Sequence, residues 1–419
     1  MTRRKLRCRT LGCGVSVLFA LAGPADAAPD LAAFESAPVV IVGQVRAAEA
    51  LGGAAWRVGI AVDEWWAQGP PSADGAANAD RVAVVFERPG RSADPGLGVG
   101  DRVLAALEPL RLTTAWRSRL GAEAPAGAWT FADRGRARVV APAVGSIEIL
   151  RHFLRLPRAA RDGPDGVRHL LALASGAAPP LAGAAARRLA AGAPAAVPVA
   201  LSPEQAALVV QGLSRPGPDV SPGLLSWVAE GRPAGLAAAL EAAIRVPGAA
   251  AAVFAARAEL PGGLPETTLR ALVHDAREPV RLVAARYARA ASAGLLRDLI
   301  SHDPSPAVRA AALGRHTAVA FDAAVVLGAF ADEDARVRGA AAQLWAQRPD
   351  AAVAPIRARA FGRVPRVAQT AVLTLRLMDR PEATRVLGEV AREHPSAELR
   401  ALARMALHAS MGEVQPGTD

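Results

Sequence analysis

Cysteine is nearly missing from this chain of 419 residues: there are 2, Cys8 and Cys13. Both fall within the first 27 residues, which read as a secretory signal peptide. Arg3, Arg4, Lys5, Arg7 and Arg9 make a basic start, and an apolar stretch runs from Leu11 to Ala22. Pro24 breaks it before Ala25-Asp26-Ala27, which has the A-x-A form of a cleavage site. The apolar stretch is too short for a membrane span. Cys13 precedes it, whereas a lipidated cysteine follows one. Cleavage after Ala27 leaves a mature chain that begins at Ala28 and has no cysteine. Disulfides, thiolate metal sites and a cysteine nucleophile are then excluded. Roughly 390 residues must be held by core burial alone.

Lysine is equally scarce. Lys5 is the only one, so every basic residue of the mature chain is arginine. The formal net charge of +10 falls to +6 once the five basic residues and Asp26 of the signal segment are set aside. The arginines alternate with Asp and Glu instead of forming a stripe interleaved with aromatics. That argues against a nucleic-acid partner. Long apolar runs are also missing: the stretch from Pro180 to Leu201 is interrupted by arginine and proline. No transmembrane segment is expected after cleavage.

Catalytic signatures are missing as well. The chain has no H-E-x-x-H, G-x-S-x-G, P-loop or C-x-x-C. Gly96, Gly98 and Gly100 precede a strand and not a helix, which makes them a turn and not a dinucleotide loop. The 7 histidines are scattered. His274 and His302 stand in turns and could share a metal only if stacking brought them together. Asp63 and Glu64 are strand neighbours and face opposite ways, which is wrong for shared acid–base work. No catalytic residue, metal site or cofactor is expected.

What the chain does have changes in texture along its length. Trp56, Trp65, Trp66, Trp116 and Trp129 fall between residues 50 and 130. Beyond about residue 150 the chain turns rich in Ala, Leu and Arg, and the apolar period moves from two to about 3.6. The first part predicts strands at Val39–Val45, Trp56–Asp63, Val82–Phe86, Val103–Leu107 and Arg138–Val140. Gly/Pro/Asp clusters at Gly69–Asp80, Pro89–Gly100 and Gly121–Gly127 separate them. Trp65 and Trp66 are adjacent, so one enters the core. The other needs a loop, the following domain or a ligand to cover it.

Val42-Gly43-Gln44-Val45 and the Gly100–Leu107 strand resemble the OB-like barrel of netrin-module and metalloproteinase-inhibitor proteins over residues 36 to 142. The cysteines of the animal versions are absent, so the resemblance carries no inhibitory function here.

The second part is repetitive. Val280-Arg281, Val308-Arg309, Val337-Arg338, Val367-Ala368 and Leu399-Arg400 recur at spacings of 28, 29, 30 and 32. An alanine stands four residues after each apolar residue, at Ala284, Ala312, Ala341, Ala371 and Ala403. Small residues there let two helices approach closely. Asp275, Asp303 and Asp332 stand six residues before the first three arginines. An aspartate in that turn can cap a helix, or accept hydrogen bonds from an arginine of its own or a neighbouring repeat. Degenerate helical hairpins are expected from about 164 to 260.

This "D…VRxxA" pattern over 265–409 resembles the short HEAT-like repeats, including those of the phycobilin-lyase type. Arg315 stands where a leucine is usual, and Ala368 replaces the arginine. Some HEAT-like proteins are iron hydroxylases with His-Glu pairs; here Glu393-His394 is reversed and single. The resemblance implies that the second helix of each repeat lines the concave side, near Arg286, Arg289, Arg315, Gln343 and Gln347. Val280, Ala284 and Tyr287 take the inward stripe.

The expected fold is mixed and two-domain: a small antiparallel OB-like β-barrel followed by an all-α HEAT-like solenoid. The segments are a signal peptide at 1–27, the β-domain at 28–145, degenerate hairpins at 146–264, HEAT-like repeats at 265–409 and a disordered tail at 410–419. The expected function is an exported, non-catalytic scaffold, periplasmic or secreted, which binds a protein partner through the solenoid. Two other readings stand beside it: a glycan-binding module that uses the β-domain tryptophans, and an enzyme whose site assembles from distant residues.

Overall fold

The computed structural model describes residues 31–52, 55–67, 81–87, 97–110, 113, 116, 118, 120, 129–132, 138–140, 142–192, 200–215, 220–348 and 350–411. The segment 1–27 expected to be a signal peptide, Ala28, the clusters at 69–80 and 121–127 and most of the tail expected to be disordered lie outside these residues. The chain divides into two compact units between Ala239 and Leu240.

The first unit opens with a short helix, α1 (Leu31–Ser36). Six strands follow: β1 (Val39–Gly52), β2 (Ala55–Ala67), β3 (Arg81–Glu87), β4 (Arg102–Pro109), β5 (Trp129–Phe131) and β6 (Arg138–Val140). The strand order is β1-β2-β3-β5-β4, and β1 pairs back onto β4. This closes a five-strand barrel in the OB-like order, with β6 on the β4 edge beside β5. All pairings are antiparallel except β3 with β5, which meet at Val84 and Trp129.

Alternation decides which side chains enter the barrel. Val58 and Ile60 of β2, Val82, Val84 and Phe86 of β3, and Val103, Ala105 and Leu107 of β4 form its core. β1 and β4 are covered on both faces: Val39 to Val42 and Val103 to Leu107 are all buried. Two-sided burial is why these stretches read as continuous apolar runs. A bulge interrupts the β1–β2 pairing at Val42 and Gly43. A Cβ on Gly43 would lie 2.3 Å from the carbonyl oxygen of Ala61, which is why glycine stands there. At Gly100 the backbone takes φ +97°, its N–H donates to Val45 O at 2.8 Å, and Gly98 N–H donates to the Asp101 carboxylate at 2.6 Å. Gly98 and Gly100 thus stand in a turn, and Gly96 lies outside the described residues.

Beyond the strands, the described residues of this unit include the helices α2 (Val144–Arg155), α3 (Pro164–Gly176), α4 (Pro179–Gly192), α5 (Pro203–Ser214) and α6 (Val220–Gly231). Contacts run α2 to α3, α3 to α4 and α5, and α6 to α4 and α5. Helix α7 (Leu236–Ile244) spans the division between the units.

The described residues of the second unit form helices and their connecting turns. The unit contains α8 (Ala251–Glu259), α9 (Glu266–Val273), α10 (Glu278–Tyr287), α11 (Ala293–His302), α12 (Pro306–Val319), α13 (Ala323–Gly328), α14 (Ala335–Ala346), α15 (Ala354–Ala360), α16 (Pro365–Leu377), α17 (Pro381–Glu393) and α18 (Ala397–Met411). Helices α8, α10, α12, α14, α16 and α18 stack each upon the next, and α9, α11, α13, α15 and α17 each pack on the helix that follows. That nearest-neighbour pattern is solenoid-like. The repeated apolar residue and alanine supply the contact: Val280, Val308, Val337, Ala284, Ala312 and Ala341 are buried.

The recurring arginine and aspartate join successive repeats. Arg281 donates to the backbone carbonyls of Asp275 and Ala276, each at 3.0 Å, in its own turn. Its Nε and Nη2 reach the Asp303 carboxylate of the next repeat at 2.7 and 3.2 Å. Arg309 does the same with the Asp303 carbonyl at 2.9 Å and the Asp332 carboxylate at 2.9 and 2.8 Å. The aspartates do not cap the helix themselves. Asp303 accepts the Ser305 N–H and Asp332 the Asp334 N–H, both at 2.8 Å. Ser305 and Asp334 are the actual N-caps.

The ladder changes after the third repeat. Arg338 holds the carbonyls of Asp332 and Glu333, both at 2.8 Å, but Gly362 occupies the next aspartate position. In the last repeat His394 takes that position. Its Nδ1 accepts the Ser396 N–H at 3.0 Å, and its carbonyl accepts from Arg400 at 2.6 Å. The His394 ring lies 5.7 Å from that of Phe361, so a ring contact stands where earlier repeats have an ion pair.

Candidate functional site

Counting from the repeated apolar residue of each second helix, the sixth following position is Arg286, Gly314, Gln343, Leu373 and Met405. Arg286 and Gln343 are exposed, Gly314 is half-buried, and Leu373 and Met405 are 38% and 62% exposed. Four residues further, Gln347 and Leu377 are exposed too. These residues occupy equivalent places on helices that stack in sequence, so they form a row. It passes from polar at α10 to apolar at α16 and α18.

Arg289 and Arg315 belong to a different set. Arg315 is half-buried, and its Nε donates to the Ala288 carbonyl at 2.6 Å. The Arg289 guanidinium donates to Gly262 O, and Arg380 reaches Ala351 O at 2.9 Å. Each of these arginines satisfies a carbonyl left open about one repeat earlier. Of the five residues expected on the inner face, Arg286, Gln343 and Gln347 stay unengaged among the described residues. Tyr287 is half-buried, and its hydroxyl donates to Glu259 at 2.6 Å. Burial and that bond raise its pKa above the usual value.

A second feature lies in the first unit. A cavity of about 880 Å³ is lined by the α1–β1 junction (Glu35 to Pro38), Trp65 and Trp66 at the end of β2, and the end of α2 with the turn beyond it, where Arg151, Arg155, Arg158 and Arg161 converge. Trp65 packs against the barrel core. The Trp66 indole N–H donates to Glu64 at 3.0 Å, and the Arg151 guanidinium sits 5.2 Å from the ring centre. Arg151 also pairs with Glu64. The neighbouring tryptophans therefore divide as strand geometry requires, one toward the core and one beneath α2.

Glu35 is held from behind the cavity. Arg188 Nε donates to it at 2.6 Å, and Arg161 stands 3.7 Å away. The hydrogen bond to Glu35 raises the Arg188 pKa further above its ordinary value, against the opposing effect of burial. Arg161, 7% exposed, also donates to the carbonyls of Leu154 at 2.6 Å and Leu156 at 3.2 Å. Arg155 and Arg158 are exposed, and their side chains make no hydrogen bond or ion pair among the described residues.

No family model and no curated protein matches this chain.

Among the described residues no group of three or more His, Cys, Asp or Glu side chains could hold a metal. His274 and His302 are exposed, and His302 pairs with Asp298 at 2.9 Å. Asp63 is exposed, while Glu64 is engaged by Trp66 and Arg151. No helix among the described residues is long and apolar enough to cross a membrane. One histidine was not singled out from the sequence. His316 is 0% exposed, and neither ring nitrogen has a hydrogen-bond partner among the described residues. Its place in the repeat could have revealed it: Trp345 and Leu375 occupy the same position in the next two repeats.

Proposed function

We propose that the protein is an exported, non-catalytic scaffold that holds another protein on the second-helix face of its C-terminal repeats. The D…VRxxA spacing, HEAT-like in form, supports this assignment of the repeats. The observation that carries the reading is the row Arg286, Gln343, Leu373 and Met405. Its exposed side chains make no hydrogen bond or ion pair among the described residues, while Arg281, Arg309 and Arg315 lock one repeat to the next. Exposed apolar groups aligned over successive helices are a mark of interaction surfaces. Stacked helices lie about 8–10 Å apart, so four steps cover roughly 32–40 Å. A strand rises about 3.3 Å per residue, so roughly 10 to 12 extended residues span the row. The partner segment suited to it is acidic at the α10 end and apolar at the α18 end.

The test is capture from an envelope fraction with immobilised mature protein, compared with a Leu373→Asp/Met405→Asp variant and with Arg286→Glu. A protein retained by the native chain should be lost with the first variant and weakened with the second, with circular dichroism unchanged. Retention of the same protein by both variants at native strength refutes the reading.

A further inference from the structure

We propose that the cavity between α2 and the end of β2 is a binding site for an acidic saccharide, with Arg155 and Arg158 holding its carboxylates and Trp66 lining its ring-binding wall. This does not depend on the repeat surface. It rests on the first unit alone, and its test can fail or succeed independently of the scaffold reading.

Size comes first. A cavity of about 880 Å³ falls within the range of small-molecule sites, about 300–1,000 Å³. Charge comes next. Four arginines line the cavity against one carboxylate, Glu35. That carboxylate is already engaged by Arg188 at 2.6 Å and faces Arg161 at 3.7 Å. Arg161 is tied to two backbone carbonyls and braces the wall. The positive charge left over is therefore that of Arg155 and Arg158, three residues apart at the end of α2 and the start of the turn that follows. Arg151 is already used by Glu64 and by the Trp66 ring, so it braces the wall instead of adding free charge.

The chemistry of the wall then selects among anions. Trp65 and Trp66 both line the cavity, and Trp66 is fixed in place by Glu64 and Arg151. A hexuronate residue offers an apolar C–H face to an indole and a carboxylate at the ring edge to a guanidinium fork. A neutral sugar would leave the two arginines unpaired. Free phosphate would leave the indoles unused. An acidic peptide has no rigid flat face to set against them.

The experiment is isothermal titration calorimetry of the full mature chain with trigalacturonate. Cellotriose, triglutamate and inorganic phosphate serve as comparison ligands. Saturable 1:1 binding of trigalacturonate is expected, with no measurable binding of cellotriose or triglutamate and no competition from phosphate at equal concentration. Arg155→Ala/Arg158→Ala should weaken binding at least tenfold. Neither arginine has an internal partner among the described residues, so the melting temperature should stay at the native value. Affinity for trigalacturonate should also fall as salt rises. Three results would overturn the proposal: no heat with trigalacturonate, equal affinity for triglutamate, or native affinity in the double variant.

Discussion

Arg309 and Asp332 belong to successive repeats and meet fork to fork, Nε to Oδ2 at 2.9 Å and Nη2 to Oδ1 at 2.8 Å. The third nitrogen of the same guanidinium holds the Asp303 carbonyl at 2.9 Å. One side chain thus ties its own turn to the turn of the next repeat. Both side chains are largely covered, with 14% and 11% exposure. Arg309→Ala leaves the Asp332 carboxylate in place without its counter-charge. Breaking a buried pair in this way costs about 3–5 kcal/mol, and residual exposure puts this one near the low end. Arg297 is exposed and has no partner among the described residues. Its replacement by alanine should stay within about 0.5 kcal/mol of native. Urea denaturation of the two variants checks this; equal midpoints would remove the ladder as a source of stability.

The same pair contributes to the acid limb of the stability curve. Burial pushes the Asp332 carboxyl upward, but the hydrogen bonds from Arg309 and the Asp334 N–H outweigh it and leave the pKa below the ordinary 3.8. Asp275 is drawn down to about 2 by its hydrogen bonds with Arg277. In both cases the unfolded chain takes up a proton at a higher pH than the folded chain. The stabilisation is complete above pH 3.8 and is lost as pH falls through the folded values. Asp275 is surface-placed and screened, so Asp332 should dominate. Below pH 4 the native melting temperature should drop more steeply than that of Asp332→Asn. Parallel curves would show that Asp332 is not the titrating group.

The elements best anticipated from sequence are those whose signal repeats. Arg281 and Arg309 stand at a fixed offset from Asp275 and Asp303, and their periodicity located the repeats without coordinates. The direction of the bonds was not readable. Asp303 accepts from the arginine of the preceding repeat, which is a matter of helix stacking and not of spacing within one repeat. In the β-domain, alternation found the long strands. It missed β5, because three residues from Trp129 to Phe131 are too few to show a period. The five residues expected on the inner face divided, since Arg289 and Arg315 meet carbonyls 27 residues back in the chain. The arginine-lined cavity was not visible at all. It gathers residues from α1, β2 and α2, and Trp66 is 85 positions from Arg151 in the sequence. Its tryptophans were noticed, but no pattern tied them to the four arginines.

Gly43 offers a test of the barrel. A Cβ at this position would stand 2.3 Å from Ala61 O and 2.8 Å from Ile60 Cγ2. The first contact is with backbone, which cannot rotate away, so β1 and β2 would have to separate at the bulge. Gly43→Ala should therefore cost about 1–3 kcal/mol, as overpacking does. Gly145→Ala is the comparison, because a Cβ there meets nothing within 4 Å. Thermal melts of the two variants decide the matter; a stability loss of the same size in both would mean that the close approach at Gly43 is not what selects glycine.

His316 holds an apolar position with a polar ring. The equivalent residues are Trp345 and Leu375 in the next two repeats, and both are buried. Neither nitrogen of His316 has a hydrogen-bond partner among the described residues, so a donor and an acceptor are removed from water without replacement. Leaving a buried polar group unpaired costs about 1–3 kcal/mol. Burial, with the nearby charge of Arg297, also lowers its pKa below 6.5, against a weaker opposing effect of Asp322. The folded chain therefore keeps the ring neutral at a pH where the unfolded chain protonates it. Stability is held above pH 6.5 and declines as the pH falls below that value. His316→Leu removes the unpaired atoms and the titration together. At pH 7.5 the variant should be more stable than the native chain by about 1–2 kcal/mol. At pH 5.5 the gap should widen, because only the native chain loses stability through this ring. Urea midpoints at the two pH values measure both effects. A gap that does not grow on acidification would show that the ring is not held neutral, and a less stable variant would show that its nitrogens have partners after all.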